Sequence, residues 1–172
     1  MEGVETMKFA NYRPEWLDAL KVQEEKIRVE QLNSDEVMRL GSIMVRLAKE
    51  KYKKPAALRV ITRGQVTFSF LMDGTDRNNE WWMDKKLNTC RMTGVSSIRS
   101  LVEVAEGLRP MEPEFEFENN FALCGGCFPL KNAEGKTIGY ALCSGLPHEC
   151  DHQLVADALS ELLGVQIPSL MD

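Results

Sequence analysis

Two β-rich runs, each doubled back on a second across a short turn, constrain this chain more than any other feature. Ala57 to Arg63 and Gln65 to Met72 meet at Gly64, and in the second run Val66, Phe68, Phe70 and Met72 alternate with Thr67, Ser69 and Leu71. A period of two on either side of a turn glycine predicts a hairpin. Leu123 to Leu130 and Thr137 to Ser144 repeat the arrangement around an Asn132–Gly135 turn. Hairpins make antiparallel neighbours, whereas a doubly wound parallel sheet needs a helix between successive strands. That parallel class is therefore excluded.

Around the hairpins the apolar spacing becomes helical. Pro14 stands at a first helical position, and Trp16, Leu17 and Leu20 share one face behind it. Asn33 followed by Glu36 has the form of a capping box, and Val37, Leu40, Met44, Leu47 and Ala48 recur at helical spacing until Lys53 and Pro55. After the Asp73-Gly74 turn, Asn78 or Asn79 is expected to cap a helix to about Met92 that turns Trp82, Leu87 and Cys90 inward. Ile98, Leu101, Val102, Ala105 and Leu108 mark the next helix, and a last one runs from near Pro147 to Leu163. Lys26 to Leu32 alternates about Ile27 and Val29, which predicts one further half-buried strand. The expectation is an α/β (α+β) fold: a five-stranded antiparallel sheet with helices packed on it. Its 172 residues suit a single domain, with roughly the first twelve as a loose end.

Charge narrows the function. The net charge is −5, and residues 110–172 hold two Lys or Arg against ten Asp or Glu. Residues 1–109 hold nineteen against sixteen, with the signs interspersed, so no basic footprint for nucleic acid or an anionic membrane is present. No uncharged stretch approaches the ~20 residues that span a bilayer. Met1 to Asn11 carries Glu2, Glu5 and Lys8 in place of an apolar export segment. Five cysteines, an odd number, then read as reduced thiols. A cytoplasmic protein is expected.

Two strings invite chemistry. His148-Glu149-Cys150-Asp151-His152 matches the HExxH pattern of zinc proteases. Asp151 intrudes between the glutamate and second histidine, and Pro147 puts the string in the first turn of its helix, so no metal site is expected. Cys124-Gly125-Gly126-Cys127 resembles a redox pair, but an apolar strand-like run follows it instead of the helix that would activate a thiol. The adjacent Trp81 and Trp82 cannot both face one core, so one is expected at a pocket or an interface.

Gly74-Thr75, Asn79, Trp82 and Lys86 to Thr89, then Gly125 to Leu130, and finally Ser144-Gly145-Leu146-Pro147 with Asp151-His152, carry a resemblance. In this order they resemble a family of uncharacterised proteins in the haem-degrading-domain superfamily, beside GlcG-like and HbpS-like proteins and the C-terminal domain of PduO-type proteins. The match covers roughly residues 20–165. It implies a profilin-like fold and homo-oligomers built from dimers. Some superfamily members bind haem at surface sites, so haem is the cofactor it implies, although Cys124 stands where similar proteins often have histidine. A thiolate can also ligate haem iron.

Together these readings predict an oligomeric small-molecule-binding protein. Its pocket would lie between the Trp82 helix and the two glycine-rich segments, with Asn79, Trp82, Lys86, Gly125, Gly126, Phe128, Ser144 and Gly145 as ligand-binding residues. Two alternatives stand beside it. One is a small-molecule enzyme using Asp151 and His152 as acid–base groups. The other is an interaction protein whose tryptophans bury in an interface.

Overall fold

Arg63 and Gly64 both take left-handed backbone, at φ 52° and 73°. They link Thr62 to its partner Gln65 as a two-residue turn whose twist matches that of the strands. The computed structural model describes residues 9–117 and 119–171. Along them run α1 (Trp16–Lys26), α2 (Ser34–Leu47), β1 (Ala57–Thr62), β2 (Gln65–Leu71), α3 (Arg77–Thr93), α4 (Ser97–Ala105), β3 (Cys127–Lys131), β4 (Thr137–Ser144) and α5 (His148–Leu163). The strands form one antiparallel sheet in the order β2-β1-β4-β3. Helices α2 and α5 cover one face, and α3 with α4 covers the other.

The sheet has four strands, which corrects the expectation of five. Ile27 and Val29 are buried as their alternation predicts, yet the segment makes a single parallel bridge, Arg28 to Lys131. The Val29 N–H donates to the Lys131 carbonyl at 2.8 Å. Pro129 in the middle of β3 has no N–H for a further rung. β3 also starts later than its apolar run, at Cys127, because Gly126 at φ 135° bends the chain just before it.

Asn33 caps α2 as predicted, its Oδ1 accepting the Glu36 N–H at 2.9 Å. The cap of α3 is Asp76, which accepts from the Asn78 N–H, while Asn79 accepts the Asp76 N–H and closes a capping box. Asn79 is thus the third helical residue of α3 and not its cap. Helix α4 stops at Ala105, leaving Leu108 exposed beyond it.

The core divides across the sheet. On the α2–α5 side Leu58, Val60, Phe128, Leu130 and Ala141 meet Leu40, Met44, Leu154 and Leu159. On the α3 side a smaller cluster joins Ala57, Ile61, Met83, Leu87, Cys90, Cys127 and Leu142. Among the described residues, no helix is long and apolar enough to cross a membrane. The loose end expected at the N-terminus lies for residues 1–8 outside the described residues. Asn11 and Tyr12 are tied down by hydrogen bonds to His148 and Glu106.

Candidate ligand-binding site

The α3 face ends in a cavity of about 530 Å³. Trp81, Trp82 and Lys85 of α3 form one wall, Phe115 and Phe121 a second, Leu123 and Cys124 a third, and Phe9 and Ala10 close it from the N-terminal side. Helical spacing explains the first wall. Lys85 follows Trp81 by four residues and Trp82 by three, so its ammonium lies over both rings, 4.1 Å and 3.7 Å from their centroids. The two indoles are 42% and 36% exposed, far too open for core residues of that size. Trp82 therefore does not point inward as its spacing predicted. Phe115 and Phe121 meet edge to face at 6.1 Å. The Thr89 hydroxyl donates to the Ala122 carbonyl and accepts its N–H, which fixes the chain behind them.

Behind the Cys124 wall lies a buried polar junction. Lys86 donates to Asp151 Oδ2 at 3.0 Å and to the Cys143 carbonyl at 3.1 Å. The second Asp151 oxygen accepts the Leu146 N–H and the Cys143 thiol. Burial works against the Lys86 ammonium, but the facing Asp151 charge more than offsets it and keeps the amine protonated. Burial pushes the Asp151 carboxyl above its ordinary range, with Lys86 pulling it back. Cys124 is raised by burial too, against the pull of Lys86 and Lys85.

The glycines of this region are filled by the chain itself. A Cβ on Gly125 would meet the His148 carbonyl, and one on Gly126 would meet the Cys143 carbonyl and lie 2.7 Å from Lys86 Nζ. A Cβ on Gly145 would likewise lie 2.6 Å from the Pro55 carbonyl oxygen. Lys86, Gly126 and Asp151 thus come together, and Trp82 meets the Cys124 segment. The other predicted residues lie elsewhere. Asn79 is in the α3 capping box, and Ser144 is buried in the ladder opposite Ala57. Phe128 points to the opposite side of the sheet, where its ring lies 5.6 Å from that of His152.

Asp151 and His152, the acid–base candidates, are both buried, and neither lines the aromatic cavity. His152 Nε2 bonds to Gln23 Oε1 at 2.7 Å and its Nδ1 has no partner. Burial lowers its pKa to about 3, so the ring is neutral. Gln23 passes the network to Gln153, and Gln153 to Asp157, which also takes the Tyr52 hydroxyl. Among the described residues, no three His, Cys, Asp or Glu side chains gather as metal donors.

Sequence reasoning missed Lys85, Phe9, Phe115, Phe121 and Cys124 as cavity residues. The spacing of Lys85 from the tryptophans was the available signal. Phe9 and Phe121 gave none, since nothing local says which loop closes over a distant helix.

A four-stranded antiparallel sheet between two helical layers, with this cavity at the end of one of them, defines the class as a mixed α/β protein with an aromatic pocket. Residues 32–160 match the family model described as haem degrading protein HbpS-like, and the chain belongs to that family. A UPF0303 protein of Paraburkholderia xenovorans (strain LB400) is 32% identical over 149 residues, covering 86% of this chain and 90% of that protein. The crystal structure of the Ybr137w protein superposes with a TM-score of 0.76 at 22% identity, over 86% of this chain and 89% of its own. A PduOC:heme complex gives 0.63 at 18% identity, over 82% and 99%.

Proposed function

We propose that this protein binds a flat, largely apolar small molecule bearing an anionic group, and that the aromatic cavity is its site. The observation that carries this reading is Lys85, buried beneath two half-exposed indoles in the wall of a cavity that two phenylalanines also line. Ligand pockets have this make-up, apolar walls with a few polar groups that fix orientation, and volumes of ~300–1,000 Å³. Family membership and the heme complex among its structural neighbours make haem the first ligand to test.

The residues present fit that group. Trp82 and Phe121 offer faces for a planar ring, Lys85 a cation for a carboxylate, and Cys124 a soft donor on the wall. Bound haem would supply an iron centre that a thiolate can ligate. The chain's own part is to shield the ring from water and to hold the anionic edge. Titration with haem should quench tryptophan emission saturably at one ligand per chain. Cys124→Ala should shift the Soret band, and Trp82→Ala should weaken binding. Identical titrations for all three proteins would remove the cavity as the site.

The same reading places the protein in the cytoplasm, which suits its five free thiols. It also has copies associating through β2. This edge strand carries no charge and no proline to deter pairing, and Val66, Phe70 and Leu71 lie exposed along it. Light scattering should return at least twice 19.5 kDa, and Phe70→Lys should shift the population toward monomer. A chain that is monomeric at micromolar concentration removes this part.

A further inference from the structure

We propose that His148 is the positioning residue of the cavity: one neutral imidazole clasps its N-terminal wall to its cysteine wall, and protonation opens the clasp and weakens binding. The inference rests on the aromatic cavity being the ligand site.

His148 Nδ1 accepts the Gly125 N–H at 3.0 Å. A nitrogen that accepts carries no hydrogen, so Nε2 holds the proton and donates it to the Asn11 carbonyl at 2.6 Å. Phe9 and Ala10, just before Asn11, line the cavity, and so do Leu123 and Cys124, just before Gly125. The two walls come from distant parts of the chain, and this ring bonds the backbone of both. Trp16 meets the ring edge-on at 6.3 Å and keeps it in place. The missing Cβ of Gly125 lets that segment press against the His148 carbonyl, so the contact is tight on both sides.

A second proton on the ring would turn Nδ1 into a donor facing a donor, and the Gly125 bond is lost while the Asn11 bond survives. The charged groups around the ring are few. Glu149 Oε2 is 3.7 Å from Nε2, and Arg13 lines the same outer recess as Glu149. Trp16, Asn11 and Gly125 are uncharged, and His152, one turn along α5, is neutral. The chain has two histidines, and burial holds His152 at about 3. A pH step in binding that disappears when the His148 imidazole is replaced is therefore assigned to that ring.

The test uses the full chain and anilinonaphthalene sulfonate, an aromatic anion whose charge is constant from about pH 8 to about pH 5. Its affinity should fall on the order of tenfold across that range. His148→Asn keeps an acceptor near the Nδ1 position and cannot be protonated, so its affinity should be flat with pH. A pH step that persists in a folded His148→Asn variant overturns the proposal. A second measurement needs no variant. The Gly125 amide proton, followed by NMR, should move upfield with the same midpoint as dye affinity, and an amide that does not follow also overturns it. Failure of the cavity reading looks different: Trp82→Ala and Phe121→Ala would then leave dye affinity unchanged at every pH.

Discussion

On the α2–α5 side of the sheet, Leu58, Val60, Phe128 and Leu130 pack into aliphatic helix faces, and the polar groups there form a single seam from His152 through Gln23 and Gln153 to Asp157. On the α3 side, Lys85, Lys86 and Arg59 are buried beside a small apolar cluster, and the helix shows two indoles to solvent. Each of these cations has a partner, Asp151 for Lys86, Asp84 for Arg59 and the indole faces for Lys85. Buried charge pairs return little beyond their desolvation cost, however, so the second side contributes less stability per residue. What it offers instead is charge held in a fixed place beside aromatic surface. The contrast teaches that one face secures the sheet and the other can carry a site.

The largest expected effect lies on the first face. Phe128→Ala should cost ~4 kcal/mol in urea unfolding, from lost transfer energy and the cavity left behind. A cost near zero would erase the distinction between the faces.

On the second face, Lys86→Met should cost ~3 kcal/mol near neutral pH, because it leaves Asp151 buried without its cation. The sign of its pH dependence follows from Asp151, whose folded pKa is raised and rises further in the variant. The folded variant then keeps its proton to higher pH than the unfolded chain. Its deficit grows as pH rises through that window and shrinks again on acidification. A deficit equal at about pH 4 and about pH 7 would show that the pair is not coupled as described.

His152 gives a slope of the opposite kind. Its folded pKa of about 3 lies below the ordinary 6.5, so the unfolded chain takes up a proton first as pH falls. Stability should be lost from about pH 6.5 downward at ~1.4 kcal/mol per pH unit, roughly 2 kcal/mol by about pH 5. His152→Gln should lack this component, and parallel pH profiles for the two proteins would contradict it. The smallest effect on folding belongs to Trp82→Ala: under ~0.5 kcal/mol in unfolding, but ~1–2 kcal/mol in ligand affinity. A variant that loses stability instead of affinity would make the indole a core residue.

The hairpins and helices were legible because each rests on local signals, such as the alternation from Val66 to Met72 or the Asn33–Glu36 cap. The fifth strand was misread for a physical reason. Ile27 and Val29 are buried as a strand's residues would be, but burial alternation does not say whether a neighbour has donors to offer, and Pro129 has none. The site was half legible. Trp82 and the Cys124–Gly126 segment do meet, yet the glycines accommodate this chain's own carbonyls, which no reading of glycine spacing could separate from space for a guest. Lys86 was singled out where its neighbour Lys85 reaches the indoles, a difference of one helical position. The HExxH string was set aside as a metal motif, and one of its histidines still joins two cavity walls.

The single bridge between Arg28 and Lys131 has a consequence for growth. It occupies the outer side of β3, where Pro129 also withholds a donor, while β2 at the other end has no strand beside its outer edge among the described residues. A sheet that can add a neighbour at both ends can lengthen without limit, as fibres do. If copies pair through β2, as proposed, they use up each other's open edge and leave nothing for a third. On that proposal, a few blocked hydrogen bonds at the far strand make pairing a reaction that stops by itself.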